Sequence, residues 1–159
     1  MMINLNLEQS IRQQVAHFLS LILADTYVLY VKTQNFHWNI VDARFFALHK
    51  FFEEQNKELA KAIDEIAERI RILGQHAPGS LKQFLEMSSL KESDGDLSGD
   101  DMILHLLQDH EALCRHLRER IELSSSLGDA GTADLLIQRL RAHEKTAWLL
   151  RSHINHVYT

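Results

Sequence analysis

Apolar residues recur at helical spacing along almost the whole chain, and Pro78 is the only proline that interrupts them. Residues spaced in this way lie on one face of an α-helix. Asp42 and Ser98 can cap the second and third helices, and Gly74 and Gly128 stand where these helices end. The pattern divides into four long segments, at about residues 7–37, 43–73, 98–127 and 132–157. The sequence therefore predicts a chain that is helical throughout.

Residues 74–99 form the one long connection between these segments. A structureless loop of that length is uncommon in a compact domain, and Leu81, Phe84, Leu85 and Leu90 predict a short helix inside it. Four amphipathic helices with one long crossover describe a ferritin-like four-helix bundle. We therefore expect residues 1–159 to form a single all-α domain, with a short helix in the crossover between helices 2 and 3.

Composition and charge argue against several classes of protein. Cys114 is the only cysteine, so no intrachain disulfide can form and a reducing cytoplasm is the expected compartment. Residues 1–8 lack the pattern of a signal peptide, and the most apolar stretch, residues 18–31, is shorter than a membrane span and contains Asp25. The net charge is −5, with both signs interleaved, which gives no electrostatic footprint for nucleic acid. We expect a cytoplasmic protein with no membrane partner.

Four potential metal ligands share one face of the second helix. At about 100° per residue, with His49 at zero, Glu53 falls at about 40°, Asp64 at about 60° and Glu68 at about 100°. Oxygen-rich ligation with one or two imidazoles suits iron or manganese, although zinc and cobalt can also bind. The alternative is a solvated helix face, because carboxylates that alternate with lysines usually face water.

These ligands cannot close a site within one chain. Glu53 and Asp64 are eleven residues apart, or about 16 Å along a helix. The face therefore carries two half-sites, His49 with Glu53 and Asp64 with Glu68. An antiparallel copy of the helix, related by a two-fold axis near residues 58–59, brings each half-site onto the other's complement. Asn56 and Ala60 on the same face are small enough to allow close approach. His37, near the end of the first helix, can fold back as a further nitrogen ligand.

Several motifs lie along the chain in a characteristic order. They are Asn35-Phe36-His37-Trp38-Asn39, then Phe45, His49, Phe52 and Glu53, then Asp64-Glu65-Ile66-Ala67-Glu68-Arg69, with Asp109-His110-Glu111 and Thr132-Ala133-Asp134 further on. These motifs resemble those of the Dps family, the DNA-binding proteins from starved cells, also called mini-ferritins, and the resemblance covers nearly the whole chain. Asp42 departs from the family, which commonly has glycine there. The absence of any E-x-x-H sequence also favours a site between subunits over a centre inside one bundle.

The resemblance implies a hollow homo-oligomer, a dodecamer built from two-fold dimers. His37, His49, Glu53, Asp64 and Glu68 match the family's ligand positions, with His37 and one half-site from one chain and the other ligands from its partner. Which half-site joins His37 stays open. The family oxidises ferrous iron there, two ions per site, with hydrogen peroxide or oxygen, and stores ferric mineral in the cavity. This protects against oxidative stress.

Weaker expectations concern residues around this site and at the termini. The resemblance implies that Trp38 lies beside the site as an electron donor, although simple packing is the alternative. Asp129 and Asp134 resemble residues that line pores at three-fold axes, and helix capping is the alternative. His153 and His156 can chelate a metal at i, i+3, although ordinary solvent-facing histidines are favoured.

DNA binding in the family often depends on a mobile basic arm. Residues 1–11 contain no Lys or Arg, and no basic residue follows Arg151. A nucleoid-compacting function is therefore not expected from this sequence.

Overall fold

The structure, a computed structural model, describes residues 4–93 and 95–154. These residues form helices and connections, with no strand among them, and the predicted all-α fold class is confirmed. Four helices are long, and the predicted short helix lies in the crossover between the second and third of these. In chain order the helices are α1 (Gln9–Asn39), α2 (Phe45–Ile72), α3 (Leu81–Met87), α4 (Gly99–Ser126) and α5 (Ala130–Arg151).

The bundle is built from two helical hairpins. α1 packs along α2 and α4 packs along α5, whereas α2 and α5 have little contact with each other. One apolar cluster includes Leu19, Ile66 and Leu136, and a second, towards the α1–α2 connection, includes Phe36 and Phe52. Each of these side chains is almost fully buried. Burial of a side chain of this size stabilises a fold by about 1.5–3 kcal/mol, so the two clusters fix the four helices relative to one another.

Two glycines end helices as predicted. Gly74 has φ 82° and Gly128 has φ 77°, the left-handed region that glycine adopts without steric cost. The amide of Gln75 then donates to the Ile70 carbonyl (3.2 Å), and the amide of Asp129 donates to Ser124 (2.9 Å). These are Schellman bonds, which satisfy carbonyls at a helix C-terminus.

The N-terminus of α4 is also as predicted, whereas that of α2 is not. Ser98 caps α4 by accepting a hydrogen bond from the Asp101 amide (3.1 Å). Asp42 does not cap α2, which begins at Phe45 rather than near position 43 and has no side-chain cap. The Asp42 carboxylate instead accepts hydrogen bonds from the Arg44 amide (2.7 Å) and guanidinium (2.8 Å). The bonds from Arg44 lower the pKa of Asp42 to about 2.

The last long helix differs from the prediction at both ends. α5 begins at Ala130, two residues before the predicted start at Thr132, with Asp129 as its N-cap. It ends at Arg151, not near residue 157. The amides of His153 and Ile154 donate to carbonyls three residues back (3.1 and 3.0 Å), which tightens the last turn and ends the α-helix. Residues 155–157 lie outside the described part of the chain.

α1 is the core helix of the bundle. By length and composition alone it could cross a membrane, but 67% of its most apolar window is buried inside the protein, as in the core helices of soluble proteins. Its buried Asp25 accepts hydrogen bonds from the Ser88 hydroxyl (2.8 Å) and the Ser89 amide (2.6 Å). This carboxylate therefore attaches the crossover to α1. A buried carboxylate bonded within its own chain does not fit a helix that faces lipid.

Candidate metal centre

His37 and His49 meet at the corner where α1 turns into α2. The Nδ1 of His37 lies 2.9 Å from the His49 carbonyl, and the Nδ1 of His49 lies 2.8 Å from the His37 carbonyl. The two rings stack with centroids 4.1 Å apart. The structure therefore places His37 beside the half-site of its own chain that contains His49, an assignment that the sequence left open.

These reciprocal bonds define the tautomer of both imidazoles. A carbonyl oxygen can only accept, so each Nδ1 carries the hydrogen and donates it. The Nε2 of a neutral ring is then left with its lone pair, which is the form that binds a metal ion. A backbone carbonyl that holds the other ring nitrogen is the usual support for a ligating histidine. Both rings are thus prepared as nitrogen ligands.

Local packing explains why the two histidines meet. α1 ends at Asn39, and Ile40 is extended and almost fully buried. The chain therefore reverses within a few residues, and the last turn of α1 lies against the first turns of α2. The ring of Phe45 stacks on the other side of His49, with centroids 4.9 Å apart. His49 is thus held between two rings and its side chain has little freedom to rotate.

Glu53 lies one turn beyond His49 on α2 and is ionised. Its carboxylate pairs with Lys57 (2.8 Å) and Lys50 (3.0 Å). The hydrogen bonds from Lys57 and then Lys50 lower the pKa of Glu53 to about 2. Two ammonium groups thus supply the positive charge that a metal ion would supply. A cation that binds Glu53 would share its carboxylate with these ammonium groups or displace them.

Asp64 and Glu68 lie on the same uninterrupted helix and are exposed. Neither makes a hydrogen bond or ion pair with residues 4–93 or 95–154. Nowhere in those residues do three His, Cys, Asp or Glu side chains of one chain come together as a metal site. Of the smaller residues near the predicted axis, Ala60 is exposed, whereas Asn56 donates to the Tyr30 carbonyl (3.0 Å) and so faces α1.

Trp38 lies at the same corner and is not packed inside its own chain. Its side chain is 67% exposed, with Phe46 at 84% and Val41 at 89%. We call Trp38, Val41, Phe45 and Phe46 the corner patch. Large apolar side chains exposed together in this way mark a surface that contacts another molecule.

The two candidate pore residues have different surroundings. Asp129 is buried and caps α5, accepting from the Thr132 amide (3.0 Å). It also pairs with Arg69 (2.6 Å). Asp134 is exposed and accepts a hydrogen bond from Gln138 (2.8 Å). The capping alternative thus describes Asp129, and a pore lined by these residues stays a prediction.

The candidate histidine pair at the end of the chain is only half described. His153 is partly buried, and burial followed by the nearby Arg44 charge lowers its pKa. Its carbonyl accepts a hydrogen bond from Arg44 (3.1 Å). His156 lies outside the described residues, so chelation by this pair stays a prediction.

The structure also contains a buried polar cluster that the sequence did not predict. We use this name for His110, Arg139, His143 and Glu58. The Nδ1 atoms of His110 and His143 are 2.8 Å apart, and Arg139 binds both His143 (3.4 Å) and Glu58 (3.1 Å). The only signal in the sequence is the i, i+4 spacing of Arg139 and His143 among apolar residues of one helix. His110 and Glu58 come from other helices, so nothing local connects them.

Comparison with known proteins identifies the class to which this fold and corner belong. A model of the ferritin-like domain matches residues 17–158, and the chain is therefore a ferritin-like protein. It is 37% identical to a DNA protection during starvation protein of Bacillus anthracis, over 90% of this chain and 98% of that one. A Dps structure from Vibrio cholerae, described as a ferritin-like diiron-carboxylate protein, superposes with a TM-score of 0.92 at 33% identity, covering 98% of each chain. Within the ferritin-like proteins, this chain belongs to the Dps family.

A further relative has a name of a different kind. A low temperature-induced protein of Nostoc is 44% identical over 154 residues, which cover 96% of this chain and 86% of that protein. Membership of the Dps family supports a function in iron storage and protection, and a diiron-carboxylate family implies that iron binds.

Proposed function

We propose that this protein is an iron-storage and iron-detoxification ferroxidase. Each dinuclear site is shared between two chains, with His37, His49 and Glu53 from one and Asp64 and Glu68 from the other. Ferrous iron is oxidised there by hydrogen peroxide or oxygen, and ferric mineral is stored in a hollow dodecameric shell in the cytoplasm. Zinc or manganese is predicted to substitute for iron at the same ligands.

The observation that carries this proposal is the reciprocal bonding of His37 and His49. The Nδ1 atoms of both imidazoles are held by backbone carbonyls, and neither Nε2 atom makes a hydrogen bond with the described residues. Both rings are only partly buried, so their position costs little desolvation and leaves them accessible. An ionised Glu53 lies one turn further along α2. Together they provide nitrogen and oxygen donors that suit ferrous iron.

The second half of the site has to come from another copy of the chain. α2 is an uninterrupted helix from Phe45 to Ile72, so Asp64 stays about 16 Å along the axis from Glu53. The exposure of Asp64, Glu68 and Ala60, and the corner patch beside the histidines, support a second α2 packed antiparallel on this face. Each two-fold dimer then has two complete sites.

The proposed chemistry balances with two ferrous ions and one peroxide. Each ferrous ion loses one electron, and the O–O bond of hydrogen peroxide takes both electrons and breaks. With two protons, the oxygen atoms leave as two water molecules. Because both electrons are delivered at one site, no hydroxyl radical is released. The protein contributes the ligand geometry, and Trp38, exposed beside His37, is proposed to donate an electron when only one ferrous ion is bound.

The sharpest test uses two inactive variants that restore activity when combined. His37→Ala and Asp64→Ala each remove one ligand from every site, and we expect either variant alone to lose rapid ferric absorbance after ferrous iron and peroxide are added. In a mixed dimer, one site carries both substitutions and the other carries none. Random co-assembly therefore restores about a quarter of the wild-type sites.

Native mass spectrometry checks that mixed shells have formed. Unchanged oxidation in the His37→Ala, Asp64→Ala double variant would defeat the proposed site altogether. Loss of activity in both single variants without recovery on mixing would exclude a site shared between chains.

A further inference from the structure

α2 carries both half-sites. It packs mainly on α1 and has little contact with α5. Residues of both helices belong to the two apolar clusters, but apolar packing is not directional, and hydrogen bonds and ion pairs restrain how one helix slides or rotates on the other. Three polar links join α2 to α5 or to its N-cap, between Gln55 and Arg69 of α2. They are Gln55 with Thr146 (2.8 Å), Glu58 with Arg139, and Arg69 with Asp129 (2.6 Å).

The Arg139 link is the only one of these whose cation is almost fully buried, with 6% of its side chain exposed. Its Nη2 atom lies 3.1 Å from Glu58 and 3.4 Å from the Nε2 of His143. Because a guanidinium can only donate, the Nε2 of His143 must accept. The hydrogen of His143 is therefore on Nδ1 and points to the Nδ1 of His110, 2.8 Å away. A chain of directed hydrogen bonds thus fixes the plane of the guanidinium.

Glu58 receives this cation midway between the two half-sites. It lies five residues after Glu53 and six before Asp64, or about 8 and 9 Å along the helix axis. The predicted two-fold axis passes near the same residue. A slide or rotation of α2 at Glu58 would therefore displace both half-sites, and would do so in both chains of a dimer.

We infer that Arg139 is a positioning residue, which holds Glu58 and thereby sets the position of α2 in the bundle, and with it the place at which its two half-sites meet those of the partner chain. Misplacement of reacting groups by about 1 Å can cost about 100-fold in rate. In a site assembled from two chains, misplacement of α2 in either chain displaces ligands. The consequence for iron oxidation rests on the proposed function, whereas the position of α2 can be measured without iron.

The first measurement is amide hydrogen exchange, followed by mass spectrometry of peptides from α2 and α4. We compare the wild type with Arg139→Met, Arg139→Lys and Arg118→Met. Arg118 pairs with Glu144 and joins α4 to α5 without contact to α2, so it is the matched control. Arg139→Met is expected to exchange at least about tenfold faster in α2 with α4 unchanged. Arg139→Lys should recover part of this protection, and Arg118→Met should match the wild type.

The second measurement is the initial rate of ferrous oxidation over a range of ferrous concentrations, per assembled shell. In Arg139→Met every ligand is intact, but the half-sites of the two chains are displaced relative to each other. We therefore expect kcat to fall at least about tenfold while KM changes less than about twofold. Arg139→Lys should restore part of kcat. A merely structural role would lower the yield of shells, which native mass reports, and not kcat per shell.

Should Arg139→Met fail to assemble, Glu58→Gln weakens the same ion pair from its half-exposed side and replaces it in both measurements. Unchanged exchange of α2 in these variants overturns the inference. Faster exchange with unchanged kcat in an active wild type overturns the link from Arg139 to the half-sites. If the variants exchange faster in α2 but the wild type oxidises no iron, Arg139 is supported as a positioning residue of α2. The proposed function is overturned instead.

Discussion

The buried histidines of the polar cluster make the stability of this protein depend on pH. Burial, and then the Arg139 charge, lower the pKa of His110 from 6.5 to about 3. Burial lowers the pKa of His143 in the same direction. Folding therefore depresses both values below those of the unfolded chain, so the unfolded state binds protons more readily. The free energy of unfolding therefore decreases as the pH falls below 6.5, the ordinary pKa of His110. It stops decreasing only below the pKa of the folded state.

The magnitude for His110 follows from the linkage relation. At about pH 5 the ring is charged in the unfolded chain but neutral in the folded one, and each pH unit below the unfolded pKa costs about 1.4 kcal/mol. His110 alone should therefore cost about 2 kcal/mol of unfolding free energy between about pH 7.5 and about pH 5. His143 adds to this loss. Glu53 and Asp42 titrate below their ordinary values and contribute little in this range.

Urea unfolding followed by far-UV circular dichroism measures this loss, at one protein concentration because assembly also affects stability. A change of about 2 kcal/mol lowers the urea midpoint by about 1 M. His110→Gln should reduce the pH dependence by that amount, whatever its stability at neutral pH. His17→Gln, at an exposed position of α1, is the control and should keep the wild-type dependence. Equal pH dependence in His110→Gln and the wild type would refute the reasoning.

The other predictions concern the dimer, one helix cap and DNA. Ala60→Glu should bring two like charges together at the proposed two-fold axis, so native mass should show smaller species and ferrous oxidation should stop. Ala60→Ser should keep both the assembled shell and the oxidation activity. An active Ala60→Glu shell would contradict a site shared across this axis. Ser98→Ala removes the cap of α4 and should lower the unfolding free energy by about 1 kcal/mol, measured by urea titration, and no loss would mean that water replaces the hydroxyl. Wild-type shells should leave the gel mobility of DNA unchanged at physiological salt, because the residues before Arg12 contain no Lys or Arg; a retarded band would show that DNA binding needs no basic arm.

Helices could be predicted from the sequence because their signals are local. The apolar spacing around Leu59 and Ile66 repeats within a single helix, and Gly74 and Gly128 need only their own φ angle to end one. Ser98 likewise acts on an amide three residues away. The errors were also local but arose from competition. Arg44 takes the Asp42 carboxylate that was expected to cap α2, and tight turn bonds end α5 before the apolar pattern ends.

The candidate site was predictable to the extent that its residues share one helix. His49, Glu53, Asp64 and Glu68 follow from the helical repeat, but the place of His37 depends on how tightly the chain turns after Asn39. That turn is set by the burial of Ile40 and by the packing of Phe36 and Phe52, which no spacing rule contains. The polar cluster was missed for the same reason, because it joins three helices through residues far apart in sequence.

One chain of this protein therefore has two groups of polar residues with different requirements. In the proposed function, the half-sites of α2 face outward and require a second copy of the chain to complete them. The polar cluster needs no second copy, and Arg139 provides a buried permanent cation among neutral histidines, although its Nε atom has no hydrogen-bond partner among the described residues. The Arg139 guanidinium lies in the bundle interior between α2, α4 and α5. A metal ion placed there would be repelled by its positive charge. In the proposed function, cations therefore bind at the outer face of α2 and not in the bundle interior, and a second copy of the chain completes their coordination.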